Sequence, residues 1–119
     1  MKVSGIMQNQ KCISDESFKD TGLYYVWSLI NRKYKIPILY TLTEFEIVRY
    51  NAIKRYIGAN ISDKMLTSSL RELEADGLVI RKDYMLKNPK VEYSLTERGK
   101  SLMPILDSLC EWGHQHLNS

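Results

Sequence analysis

The side chains of this 119-residue sequence that could do chemistry, by type and spacing, are cations and short hydroxyls along one helical face. Lys64, Thr67, Ser68 and Arg71 point away from an apolar stripe of Leu66, Leu70 and Leu73 that recurs at helical spacing. Such groups hydrogen-bond to base edges in a major groove or settle on phosphates. The plainer alternative is an ordinary solvated helix face. A second cluster follows in the basic stretch from Arg81 to Lys90, which carries Lys82, Lys87 and Lys90. These lysines lack the aromatic interleaving that suits single-stranded nucleic acid, while Tyr84 and Met85 near the tip pack on the strands or reach a groove wall. Catalysis finds no support. No nucleophile, base and orienting group stand out together, and no glycine-rich phosphate loop is present. Cys110 and His114 would share a helix face, but a structural zinc site needs four ligands. Neither a metal nor another cofactor is expected.

These groups need elements to hold them. Ser62 can cap a helix by accepting an early backbone N–H, and Asp76-Gly77 ends it, with Gly77 suited to a left-handed conformation. Leu78-Val79-Ile80 and Val91 to Leu95 then read as two strands, with Asn88-Pro89 as a turn signal between them. Upstream, Asn51 to Ile57 is a helix and Gly58-Ala59-Asn60 the turn that leads into the next one. Lys54 and Arg55 sit where such a helix touches phosphates. Lys35 to Thr43 is a further helix with Pro37 in its first turn, and Phe45 to Arg49 reads as a short strand. Thr21 to Asn31 is helical, its Tyr24, Tyr25 and Trp27 forming core or dimer contacts, with a ligand pocket as the alternative. Thr96 caps the last helix, where Leu102, Ile105, Leu106 and Leu109 follow the helical apolar pattern and Trp112 extends it. Pro104 removes a backbone donor there and is expected to bend the helix. The fold class is mainly α with a small β-hairpin, a winged helix-turn-helix.

Size allows one domain over residues 21–119, preceded by a flexible polar arm over residues 1–20. The chain is 44% hydrophobic and 26% charged, with net charge +3 and pI about 8.8. The charge is unevenly placed. Residues 78–95 carry an excess of two positive charges, whereas residues 61–77 carry an excess of two negative ones. A helix that enters DNA by its N-terminal end, beside a basic wing, would be charged this way. No stretch is apolar enough to span a membrane and no signal-peptide core is visible, so a cytoplasmic location is expected. The two cysteines, Cys12 and Cys110, give neither a disulfide framework nor a zinc spacing.

Two segments, LRELEADGLVIRKDY and NPKVEYSLTERGKSLMPILDSLCEWG, resemble the HxlR-type transcriptional regulators, a branch of the MarR-like winged-helix proteins. The similarity runs from about Lys33 to Gly113. It implies a bacterial or archaeal homodimer that binds a palindromic operator in double-stranded DNA, with the first and last helices pairing between subunits. Trp27, Leu102, Ile105, Leu106, Leu109 and Trp112 would then serve dimerisation, the alternative being that the last helix only covers its own core. The implied effector is a small molecule or an oxidant. Many such proteins sense oxidants through a cysteine near the N-terminus, but Thr21 stands at that position here and Cys12 nine residues earlier, so the role does not carry over by position; Cys12 is a candidate redox sensor, with an ordinary exposed thiol as the stronger alternative. The first of two prolines usual before Val-Glu-Tyr is replaced by Asn88, and a Gly-Gly-Lys-Trp run by Asn31-Arg32-Lys33-Tyr34. A winged helix that binds protein instead of specific DNA is the competing expectation. An acidic wing would favour it, and this wing is basic.

Overall fold

Residues 18–58, 60–88 and 90–118 are described by a computed structural model, and they fall into two compact units that divide after Asn31. Cys12 and the rest of residues 1–17 lie outside the described residues. In the first unit a short 3-10 turn, Phe18–Asp20, leads into helix α1, Gly22–Ile30. Thr21 starts the helix by accepting the Tyr24 N–H at 3.1 Å, while its own hydroxyl donates to the Phe18 carbonyl at 2.7 Å. The Phe18 and Tyr24 rings meet edge to face.

The second unit contains α2 (Lys35–Phe45), β1 (Val48–Arg49), α3 (Tyr50–Ile57), α4 (Asp63–Ala75), β2 (Val79–Asp83), β3 (Val91–Leu95) and α5 (Glu97–His116). The expected hairpin forms, but it is part of a three-stranded antiparallel sheet in the order β1-β3-β2. Val48 pairs with Tyr93 and Arg49 with Glu92, so the short strand expected within Phe45 to Arg49 forms over its last two residues, as an edge of the sheet. Phe45 is not in that strand, contrary to the sequence reading. It closes α2, after which Glu46 takes φ 65° and the Ile47 N–H donates to the Phe45 carbonyl at 2.8 Å. This is the strained form of γ-turn. Pro104 does not end α5, which runs unbroken from Glu97 to His116.

One apolar core joins these elements. Ile38, Leu39 and Leu42 of α2 are buried, as are Ile53 of α3, Leu66, Leu70 and Leu73 of α4, and Leu102, Met103 and Leu106 of α5. Each fully buried leucine contributes about 2–3 kcal/mol by leaving water. Gly77, at φ 78°, ends α4 as expected and lets the Leu78 N–H reach the Leu73 carbonyl at 2.9 Å. The chain then folds back on itself. Thr96 donates from its N–H to the Leu78 carbonyl and from its hydroxyl to the Gly77 carbonyl at 2.6 Å, and accepts the Gly99 N–H to cap α5. Gly99 is needed for that approach, since a Cβ there would strike the Leu78 carbonyl oxygen.

A charge is also buried in this core. Lys35, 2% exposed, places its ammonium 2.9 Å from Oε1 of Glu72 on α4, while Arg32 approaches Oε2 at 3.1 Å. The Lys35 hydrogen bond holds the Glu72 carboxyl below the usual glutamate value of 4.5. A depressed pKa stabilises the fold fully above pH 4.5, and that contribution is lost as pH falls through the lowered value. Glu72→Gln should therefore cost about 1 kcal/mol at neutral pH, because the buried ammonium loses a charged acceptor that water partly screens. In urea melts from pH 7 to pH 3, the gap to wild type should stay constant above pH 4.5 and close below it. A gap independent of pH would show that the pair is not ionic. Glu46→Gly relieves the left-handed residue and should raise stability by about 1 kcal/mol, or Tm by about 3–6 °C, in thermal unfolding.

Candidate nucleic-acid interface

The outward side of α4 is built by its inward side. With Leu66, Leu70 and Leu73 committed to the core, the helix turns Lys64 and Arg71 fully out, with Thr67 and Ser68 half-buried between them. These four residues line a shallow groove along the helix with Asp63 and Glu72. Neither Lys64 nor Arg71 forms an ion pair with a described residue. Ser62 caps α4 as expected, its hydroxyl accepting the Met65 N–H at 3.1 Å. The Ser68 hydroxyl donates to the Met65 carbonyl at 3.2 Å, which leaves its oxygen as an acceptor.

Two side chains of α3 that adjoin in sequence part ways. Lys54 holds Asp63, at the start of α4, with its ammonium 2.9 Å from Oδ1. Arg55 is exposed and forms no ion pair with a described residue. Tyr50, which the sequence reading passed over, completes the link between the helices. Its hydroxyl donates to Asp63 Oδ1 at 2.9 Å and lies 3.3 Å from the Thr67 hydroxyl. The hydrogen bonds from Lys54 and Tyr50 hold the Asp63 carboxyl below its usual value of 3.8, whereas burial first and foremost raises the Tyr50 pKa. A carboxylate that would repel phosphates at the helix start is thereby neutralised. The available signal was spacing: Tyr50 and Lys54 are four apart on one helix and share a face.

The wing departs from expectation in one respect. Tyr84 lies against its lysines, with the Lys82 ammonium 4.8 Å and the Lys90 ammonium 4.6 Å from the ring centroid. Its hydroxyl donates to Glu92 at 2.6 Å, and Lys90 lies 3.5 Å from the same carboxylate. The ring therefore organises two cations, which the reading of isolated lysines did not foresee. Lys87 is exposed at the tip beside Leu86, and Met85 is 84% exposed at φ 54°.

The residues named for dimerisation divide. Leu102 and Leu106 are buried in this chain's own core, so they are not available to a partner, a correction to the sequence reading. Their spacing marked the inner side of α5. Ile105, Leu109 and Trp112 are between 55% and 64% exposed on that helix, and Trp27 of α1 is 56% exposed. Cys110 is an exposed free thiol, and Thr21, at the position of the usual cysteine, serves as a helix cap. Among the described residues no three His, Cys, Asp or Glu side chains come together to hold a metal ion, and no helix is long and apolar enough to cross a membrane.

A helix-turn-helix of α3 and α4 followed by a β-wing defines a winged helix-turn-helix protein of the MarR-like kind. Residues 29–119 match the HxlR-like helix-turn-helix family, and the chain belongs to that family of transcriptional regulators. It is 49% identical over 104 residues to an HTH-type transcriptional regulator of Halalkalibacterium halodurans, covering 87% of this chain and 91% of the relative. The crystal structure of the HTH-type regulator YtcD superimposes with a TM-score of 0.77 at 44% identity, over 83% of this chain and 99% of that one. The redox regulator HypR, 40% identical, superimposes with a TM-score of 0.76 in its reduced form, over 82% and 95% of the two chains. For its oxidised form the TM-score is 0.70, over 79% and 95%.

The Lys54–Asp63 pair can be tested by following the Asp63 side-chain carboxyl by NMR as pH is lowered. It should titrate below 3.8 in the wild type and move up toward 3.8 in Lys54→Ala. Identical titrations would mean that the pair does not form in solution.

Proposed function

We propose that the protein is a homodimeric, sequence-specific regulator that binds a palindromic operator in double-stranded DNA in the cytoplasm. The observation that carries this reading is the groove on α4 that exposed Lys64 and Arg71 form with half-buried Thr67 and Ser68, in a fold whose wing carries Lys82, Lys87 and Lys90. In this reading α4 enters a major groove by its N-terminal end, where Ser62, Lys64, Thr67 and Ser68 meet bases or phosphates. Arg71 reads a base edge with its guanidinium fork. The Ser68 oxygen, its proton already given to Met65, accepts from a base amino group. Arg55 and the wing lysines supply salt-dependent affinity through phosphates.

Dimerisation through Ile105, Leu109 and Trp112 of α5, with Trp27 of α1, would cover large apolar side chains that otherwise face water. A two-fold pair places the second α4 about one helical turn away, ~34 Å along the same DNA face. An oxidant or a small molecule is the effector, with Cys12 as the candidate thiol; the likeness to HypR, a redox regulator, favours the oxidant.

The test is a titration against duplex DNA from beside the protein's own gene, with a scrambled duplex as control, at two salt concentrations. Tight binding to the first duplex alone, by a dimer, is expected. Arg71→Ala should weaken specific binding by about 1–3 kcal/mol and leave non-specific binding nearly unchanged, whereas Lys87→Ala should weaken both alike. Equal, weak binding of the wild type to both duplexes would reject this function in favour of a protein-binding winged helix.

A further inference from the structure

A second basic groove lies beside the helix-turn-helix, between the start of α3 and the start of β3. Arg49 of β1, Arg55 of α3 and Lys90 at the foot of the wing line it together with Tyr50 and Val91, and no carboxylate is among its lining residues. These cations come from two parts of the chain, Arg49 at the N-cap position of α3 and Arg55 within that helix, and Lys90 beside β3. Arg49 and Arg55 are exposed, and neither forms an ion pair with a described residue. The acid that acts on this corner is Glu92, which feels Arg49 and lies 3.5 Å from Lys90. One carboxylate against three cations leaves the corner with an excess of two positive charges. Through Tyr50 and Val91 the groove adjoins another, between α4 and the wing, lined by Thr67, Arg71, Arg81 and Glu74, with Arg81 3.6 Å from Asp83. The helix face that would read bases is thus continuous with the corner of Arg49, Arg55 and Lys90.

Lys54, next to Arg55 in sequence, is excluded from this corner by its bond to Asp63. To reach a phosphate it would have to leave a carboxylate unneutralised at the start of α4. Arg49 and Arg55 face no such exchange, and a guanidinium suits a phosphate by its planar fork of donors.

We infer that this groove is a seat for one backbone phosphate of bound duplex DNA, held by Arg49 and Arg55, and that Lys54, like Lys90 already paired with a carboxylate of its own chain, is not among its ligands. The inference rests on the duplex-binding function proposed above and assigns it an anchor. The seat fixes where the phosphate backbone lies relative to α4, and so sets the register in which Thr67 and Arg71 meet the bases.

The experiment measures the salt dependence of binding to the duplex from beside the gene, for the full chain and three double variants. Arg49→Ala/Arg55→Ala should lower the slope of log affinity against log salt by about one per bound chain. Arg49→Lys/Arg55→Lys should retain the slope, which separates lost charge from lost fold, and thermal melts confirm that each variant is folded. Lys54→Met/Asp63→Asn removes the internal pair and should leave the slope unchanged. An unchanged slope in the double alanine variant, or an equal loss in the Lys54/Asp63 variant, overturns the seat while duplex binding stands. A wild type that binds no duplex overturns both.

Discussion

The ion pair between Lys35 and Glu72 constrains the rest of this structure. A recognition helix must show one side to its target while the other side holds it to the domain. The leucine stripe of α4 gives attraction without direction, because apolar packing alone tolerates sliding. A buried ammonium 2.9 Å from a carboxylate does not tolerate it. Displacing Glu72 would strand the charge of Lys35, which has almost no contact with water. With Arg32 on the other carboxylate oxygen, Glu72 is held from two sides, and the rotation of α4 about its axis is set. That rotation decides which residues face outward.

The same pairing changes the electrostatics of the helix. Counted by sequence, the segment around α4 is acidic. In the fold, two of its acids are matched by cations from elsewhere, Glu72 by Lys35 and Arg32, and Asp63 by Lys54. Lys64 and Arg71 are left on the exposed side without such partners among the described residues. A local deficit of charge in the sequence thus becomes a surface compatible with a polyanion. The wing uses an aromatic ring for a related purpose, since Tyr84 gathers two lysines that would otherwise repel each other.

Periodicity made much of this legible. The caps at Ser62 and Thr96, the stop at Gly77, the leucine stripe and both strands of the wing follow from local rules, because each is decided by neighbours in sequence. What escaped depends on distant partners. The extent of strand β1, two residues of the expected Phe45 to Arg49, is decided by its pairing with β3. Lys35 looks like any surface lysine until Glu72 is placed beside it. Leu102 and Ile105 share one apolar pattern, and only the packed core separates the buried side of α5 from its exposed side. The outward residues of α4 were readable as a set, whereas the roles of Tyr50, Arg49 and Lys54 emerged only from the way the helices cross-link.

Thr96 and Gly99 make the joint between α5 and the rest of the unit stiff. The helix start is hydrogen-bonded to the very carbonyls where α4 gives way to the wing, and the absent side chain of Gly99 lets the backbones touch. Farther along, the Tyr40 hydroxyl donates to Asp107 at 2.9 Å and ties the helix to α2; burial and that carboxylate push the Tyr40 pKa up to about 12. With no slack at either point, α5 behaves as a lever rather than a tether. A tilt imposed at its exposed end, around Leu109 and Trp112, would therefore reach the joint between α4 and the wing instead of being absorbed at the helix start.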